Sequence, residues 1–296
     1  PDTGFRDTGP KETGRKPRHP QRVISGHTRV FGLLGHPVRH SLSPEMHSTL
    51  LRELGIDGVY VAFDVDPTRA HLVGHAIRTL DLVGVNLTVP FKTAILPQLD
   101  HLTRAAKEAG AVNVVTQLGG TLSGTNTDGI GLYLALQEEH DFQAQGSTCV
   151  ILGAGGAARA IAAHLASEGA DRIELHNRSP ARAQESCDHL ASFYPHTTFQ
   201  PCPLGKLPSC ELVVNALGGG AESTVSTIDL SPLPAHAIWC DINYWMKSPP
   251  QLAACAARGL RTSTGLGMLI HQGALSFELF TGHPVDPARI RAFLTR

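Results

Sequence analysis

The chain has 296 residues, 42% of them apolar and 17% charged, which is enough for two compact domains with real cores. A formal net charge of −1 excludes the basic field that nucleic acid or an anionic membrane surface requires. No apolar run approaches the ~20 residues that span a bilayer, and no hydrophobic signal segment opens the sequence, so the expected setting is the cytosol. The six cysteines (Cys149, Cys187, Cys202, Cys210, Cys240, Cys255) contain no C-x-x-C pair and read as reduced thiols, several of them in strand-like contexts. The sixteen histidines form no H-E-x-x-H or comparable ligand spacing, so no metal site is expected.

Residues 1–28 are rich in Gly, Pro, Lys and Arg and nearly lack apolar side chains, which predicts a disordered tail. Residues 30–34 then read as a strand, and residues 44–54 as a helix with Ser43 as its N-cap and Pro44 at its first position. A second strand over 60–65, a helix over 67–80 and a third strand over 82–89 continue the alternation, which argues for a mostly parallel sheet covered on both faces. A new cycle starts at strand 148–152, followed by a helix over 157–168, a strand over 172–176 and a helix over 180–193. Further strands fit 211–215, 237–242 and 260–262. The chain closes with helices over 271–280 and 287–294, the last capped by Asp286 with Pro287 at its first position. The fold class is therefore α/β with two domains.

Gly153-Ala154-Gly155-Gly156-Ala157-Ala158 lies between an apolar strand and an alanine-rich helix. That is the context of the G-x-G-x-x-G/A dinucleotide turn: one glycine for the turn, one for close approach of the pyrophosphate, and a small residue where helix meets strand. The helix N-terminus adds unpaired N–H groups and partial positive charge for the phosphates. The alternative is a tight strand–helix turn that uses glycine only for packing. Where an NAD enzyme usually places an acid, the next strand ends in Asn177, Arg178 and Ser179, with Arg182 one turn later. Arginine there can pair with a 2′-phosphate, so the expected cofactor is NADP. Glu174 is the nearest acid but lies inside the strand, too early for a ribose contact.

Polar strings cluster at the predicted strand ends, where open α/β sheets bind ligands. Ser41 and Ser43, two apart at a helix entry, can turn both hydroxyls toward a carboxylate, although capping alone would also explain Ser43. Hydride reduction of a ketone builds negative charge on its oxygen. An ammonium stabilises that charge and delivers the proton, and a carboxylate orients the ammonium. Lys92 and Asp128 suit this chemistry, but taken singly they also read as a surface lysine and a helix-capping aspartate.

Five strings together resemble the shikimate dehydrogenase family. They are Gly35-His36-Pro37-Val38-Arg39-His40-Ser41-Leu42-Ser43-Pro44, Gly84-Val85-Asn86-Leu87-Thr88-Val89-Pro90-Phe91-Lys92, Gly110-Ala111-Val112-Asn113, Gly124-Thr125-Asn126-Thr127-Asp128-Gly129 and Gly265-Leu266-Gly267-Met268-Leu269-Ile270-His271-Gln272. They follow the family order from about Val30 to the last helix, around the glycine turn. The resemblance implies NADPH-dependent reduction of 3-dehydroshikimate to shikimate, a step toward aromatic amino acids, with a small molecule as the partner and the protein a monomer or homodimer. It implies Lys92 as acid/base and Asp128 as its partner. Substrate contacts would come from Ser41, Ser43, Asn86, Thr88, Asn113, Tyr244 and Gln272. Cofactor contacts would come from Gly153, Ala154, Gly155, Gly156, Ala157, Asn177, Arg178, Ser179, Arg182, Asn215, Ala216, Gly265 and Met268. The substrate domain would span 29–128, the Rossmann-like NADP domain 129–265, and the helices of 266–296 would return to the substrate domain. Hinges are expected near 128–131 and 265–267.

Two positions depart from the family pattern. Leu217 stands where a polar residue is common, which removes one side-chain contact to the cofactor, and Ser48 stands where Asn is common. The alternatives are a quinate/shikimate dehydrogenase using NAD, an aminoshikimate-type variant, and a non-catalytic NADP-binding sensor. Ser43 and Asn177 favour the first reading over the quinate one, since relatives preferring quinate tend to carry Thr and those preferring NAD an acid. Retention of Lys92 and Asp128 argues against a sensor.

Overall fold

The computed structural model describes residues 24–246 and 249–295. Most of the expected tail, residues 1–23, lies outside them. Residues 25–28 form a turn pinned by the Thr28 hydroxyl, which donates to Asp57 Oδ1 at 2.9 Å.

The first half of the chain builds β1 (Arg29–Gly35), α1 (Ser43–Glu53), β2 (Gly58–Asp64), α2 (Val73–Thr79), β3 (Gly84–Leu87), α3 (Phe91–Ala94), β4 (His101–Leu102), α4 (Arg104–Ala109), β5 (Val114–Leu118) and β6 (Thr121–Thr125). Its six strands lie in the order β2-β1-β3-β5-β6-β4. β1 pairs in parallel with β2 and β3, as the alternation predicts. β5 and β6 are antiparallel and form a hairpin that the sequence reading passed over. Its signal was present: two β-branched runs flank Gly119-Gly120, both at positive φ (56° and 81°), as a two-residue hairpin turn demands.

The expected helix over 67–80 begins instead as a 3₁₀ turn, Pro67–Leu72, capped by the Asp66 carboxylate, which accepts from the Thr68 amide at 2.9 Å. The expected Ser43 cap is also corrected. Leu42 holds the N-cap position, with its backbone already near helical, and Ser43 is the first helical residue. The Ser43 amide donates to Ser41 Oγ at 3.2 Å, so it is Ser41 that receives a helix N–H.

α5 (Asp128–His140) leads into β7 (Thr148–Leu152), α6 (Gly156–Ser167), β8 (Arg172–His176), α7 (Pro180–Ala191), β9 (Thr198–Cys202), β10 (Leu212–Asn215), α8 (Glu222–Val225), β11 (Ile238–Asp241), α9 (Leu252–Ala257) and β12 (Arg261–Thr264). These strands form a fully parallel sheet, β12-β11-β10-β7-β8-β9, the doubly wound order of dinucleotide-binding folds. β9 escapes the sequence pattern because Pro201 interrupts it. Proline is tolerated there because β9 is an edge strand, where a missing N–H donor costs nothing. All six cysteines are unpaired, and only Cys202 is not fully buried.

The last helices, α10 (Gly265–Thr281) and α11 (Pro287–Leu294), return to the first sheet. Ile270, Ala274, Phe277, Phe280 and Ile290 share one core with Phe31, Leu33, Met46 and Leu50. α10 starts six residues before the expected boundary at 271, because glycine at 265 and 267 weakens helix propensity in the sequence. In the structure these glycines, like Gly129 in α5, serve close packing. A Cβ at Gly265 would collide with the Ile242 carbonyl, and one at Gly129 with the Ala160 carbonyl. The expected hinge segments thus lie at helix starts, and their glycines answer to steric room. No helix among the described residues is long and apolar enough to cross a membrane.

Candidate active site

The carboxyl ends of β1, β3, β10 and β11 converge on a cavity of about 620 Å³ between the two sheets. It gathers Ser41, Ser43, Asn86, Thr88, Lys92, Asn113, Asp128, Tyr244 and Gln272 with Ala157, Ala216, Gly265 and Met268, residues that the sequence scatters across most of its length.

Lys92 follows β3 through Pro90 and sits in the short helix α3, where its side chain is 15% exposed. Its Nζ donates to Asp128 Oδ2 at 2.5 Å. Asp128 opens α5 and is 3% exposed. Its other oxygen accepts from Asn113 Nδ2 at 2.9 Å, and its backbone amide donates to Asn126 Oδ1 at 2.9 Å. Asn113 Nδ2 also reaches Thr127 Oγ1 at 2.9 Å, while Asn113 Oδ1 accepts from the Thr127 amide at 2.8 Å. Both ends of the Asn113 amide are therefore committed to the loop that carries Asp128.

Asn86 is similarly held. Its Oδ1 accepts from the Tyr60 hydroxyl at 2.8 Å, and its Nδ2 donates to Ser276 Oγ at 3.0 Å and to the Asn113 carbonyl at 3.3 Å. Burial raises the Tyr60 phenol well above its usual range, so it stays a neutral donor. By contrast, the Ser43 hydroxyl has no hydrogen-bond partner among the described residues, although the residue is buried. Tyr244 lies beside Ser41: burial raises its phenol, opposed by hydrogen bonds from Ser41 and the Leu42 amide. Gln272 Nε2 donates to the Leu269 carbonyl at 3.0 Å, within its own helix.

Several contributors were missed by the sequence reading. Asn126 and Thr127 sit inside a quoted string but received no role, and Ser276 lies one helical turn after Gln272, a spacing that could have exposed it. Tyr60 carries no sequence signal. His40 and Trp245 pack against each other in the cavity wall, ring centroids 5.0 Å apart and planes tilted by 52°, joining the loop before α1 to the loop after β11.

The glycine turn lies directly against the Lys92 segment. A Cβ on Gly156 would stand 3.0 Å from Ala111 Cβ and 3.3 Å from Lys92 Cβ. Gly153 has φ 125°, a conformation that excludes ordinary side chains, and its amide donates to the His176 carbonyl at 2.8 Å. A Cβ on Gly155 would meet nothing within 4 Å, which leaves open space where a pyrophosphate must approach the start of α6. Asn177 Nδ2 donates to the Ser179 carbonyl at 3.2 Å, and Ser179 caps α7 by accepting from the Arg182 amide. Arg178 and Arg182 are exposed, and neither is ion-paired among the described residues. Glu174 is turned inward to Arg172 and His176, so it offers the ribose no carboxylate. This end of the site fits a 2′-phosphorylated dinucleotide. At Leu217 the backbone is held on both sides, its amide by Asn215 Oδ1 at 3.2 Å and its carbonyl by Asn243 Nδ2 at 3.0 Å, while the side chain joins the core under β10.

A doubly wound sheet with this turn, facing a second α/β sheet across a cleft that holds a lysine–carboxylate pair, defines a two-domain, nicotinamide-nucleotide-dependent oxidoreductase. Comparison with known proteins specifies it further. Residues 33–115 match the shikimate dehydrogenase substrate binding domain, residues 134–218 match shikimate / quinate 5-dehydrogenase, and residues 265–292 match the shikimate 5′-dehydrogenase C-terminal domain. Shikimate dehydrogenase (NADP(+)) of Geobacter sp. (strain M21) is 41% identical over 267 residues, covering 88% of this chain and 92% of that protein. The crystal structure of shikimate 5-dehydrogenase from Listeria monocytogenes, in complex with shikimate and NAD, superposes with a TM-score of 0.81 at 32% identity, covering 93% of this chain and 99% of that one. The enzyme from Thermus thermophilus, in complex with NADP(H) and shikimate, gives 0.76 at 35% identity, covering 90% and 98%. The chain belongs to the shikimate dehydrogenase family.

Proposed function

We propose that this protein catalyses the NADPH-dependent reduction of 3-dehydroshikimate to shikimate in the pathway to aromatic amino acids, as a cytosolic monomer or homodimer. The observation that carries this reading is the Lys92–Asp128 pair, set in the cavity wall against the turn that opens α6. NADPH, when bound, supplies the hydride. Lys92 stabilises the oxyanion that develops on the substrate and delivers its proton from Nζ. Asp128 accepts from that ammonium and aims it, and the second hydrogen bond from Asn113 fixes the carboxylate.

Ser41 and Ser43, at the start of α1, bind the substrate carboxylate, and the free Ser43 hydroxyl supports this. Thr88, Gln272 and Tyr244 line the space left for the ring. Asn86 and Asn113 retain one unused acceptor lone pair on each Oδ1 for ring hydroxyls, since each oxygen accepts a single hydrogen bond among the described residues. The segment Gly153–Ala157, with Asn215, Ala216, Gly265 and Met268, holds the nicotinamide and pyrophosphate end, and Asn177, Arg178, Ser179 and Arg182 hold the 2′-phosphate. Residues 29–128 with 266–296 form the substrate unit and residues 129–265 the nucleotide unit.

The test is a cofactor-absorbance assay of purified protein with shikimate or quinate, each with NADP⁺ and with NAD⁺. Turnover is expected to be fastest with shikimate and NADP⁺. Preference for quinate and NAD⁺ would transfer the assignment to a quinate dehydrogenase, and no turnover with any pair would reject both.

A further inference from the structure

Glu174 and His176 lie two residues apart on β8, so both side chains leave the same face of the sheet. β9 pairs in parallel with His176 opposite Cys202, which brings the thiol onto that face beside the imidazole. One donor atom from each of the three residues lies within 4.8 Å of the other two. The chain between β9 and β10 runs as irregular loop and turn, and its Leu204 and Leu207 pack with Val150 and Leu152 on this same face of the sheet.

The protein satisfies this cluster only in part. Glu174 Oε1 accepts from Arg172 at 2.6 Å, and Glu174 Oε2 pairs with His176 Nε2 at 3.1 Å. His176 is completely buried, and its Nδ1 has no hydrogen-bond partner among the described residues.

The geometry points to a binding site for one Zn²⁺ per chain, ligated by Glu174, His176 and Cys202 with a solvent molecule in the fourth position. Oxygen, imidazole nitrogen and thiolate sulfur are zinc's own ligand set, and a thiolate discriminates against Mg²⁺ and Ca²⁺. Cys202 loses its proton to solvent on binding. Arg172 remains on the outer carboxylate oxygen and orients it, as second partners of metal ligands do. Cys202, the one thiol that is not fully buried, supplies the entry path. The spacing rules that find zinc sites in sequence could not see this cluster, because its third ligand arrives by strand pairing from 26 residues downstream of His176.

The experiment uses full-length protein freed of metal by chelation and dialysis. Titration calorimetry with ZnCl₂ should show one equivalent bound, and Co²⁺ in its place should give a thiolate-to-metal charge-transfer band. Cys202→Ser should weaken Zn²⁺ by at least ~100-fold and abolish the band. Glu174→Gln, of the same size, should weaken Zn²⁺ while keeping the band. Cys187→Ser, at a buried thiol outside the cluster, should change neither. Absence of stoichiometric Zn²⁺ binding to the wild type, or a Co²⁺ band that survives Cys202→Ser, would overturn the site.

Discussion

Asn113 donates to one oxygen of Asp128 while Lys92 donates to the other, so the carboxylate in the cavity wall is gripped from both sides. The Asn113→Ala variant frees one oxygen and also strips the Thr127 amide of its acceptor. Stability should fall by about 1–3 kcal/mol in urea denaturation, the cost of stranding buried polar groups. Because the loop carrying Asp128 loosens, kcat should fall more than KM rises.

Lys92→Ala tests proton delivery itself. Loss of a positioned acid typically costs ~10²–10⁴ in rate. The expected result is a kcat reduced within that range and a KM for shikimate changed only a few-fold. A kcat near the wild-type value would remove Lys92 from the chemistry.

The proposed recognition of NADP⁺ assigns its 2′-phosphate to exposed cations at the tip of β8. Arg178→Asp replaces a phosphate partner with a repelling carboxylate, and hydrogen bonds to charged groups are worth about 1.5–3 kcal/mol. KM for NADP⁺ should rise ~10–100-fold with little change for NAD⁺. Equal effects on both cofactors would dissociate Arg178 from the 2′-phosphate.

Gly129→Ala should damage the fold without touching a ligand. Its Cβ would meet the Ala160 backbone, which cannot rotate away as a side chain could. Overpacking of this kind costs about 1–3 kcal/mol, readable as a lowered Tm.

His47 should make the protein acid-labile. It is buried in an aromatic nest, stacked on Tyr60 with centroids 4.3 Å apart, and burial lowers its pKa from 6.5 to about 3. Between those values the unfolded chain binds a proton that the folded one refuses, so stability rises with pH. The contribution is complete above pH 6.5 and declines by up to ~1.4 kcal/mol per unit as pH falls toward about 3. His47→Phe should flatten this slope in urea titrations at pH 7, 6 and 5. Identical slopes for variant and wild type would contradict it.

Most of the parallel architecture was legible because parallel strands buried on both faces read as continuous apolar runs: β7 and β8 fall on the expected residues. β5, β6 and β9 were not read, the hairpin because its glycine pair was passed over and β9 because proline breaks its pattern. At the site, the strings named the cavity-lining residues, but no string could show that Asn86 and Asn113 are bound to Tyr60, Ser276 and the Asp128 loop. Those partners lie on other elements, and only tertiary packing brings them together. The Ser43 cap failed for a local reason: Pro44 can occupy the second helical position as well as the first, and the chain begins its helix one residue earlier.

α10 and α11 supply much of the core beneath β1, although they are made after both sheets. On the ribosome, the nucleotide-binding half has its whole sheet once β12 has emerged, while the half that precedes it in the gene must wait for α10 and α11 to follow. Folding order during synthesis therefore runs against chain order, and a message truncated before Gly265 would yield a complete second sheet attached to a first sheet with its apolar underside bare.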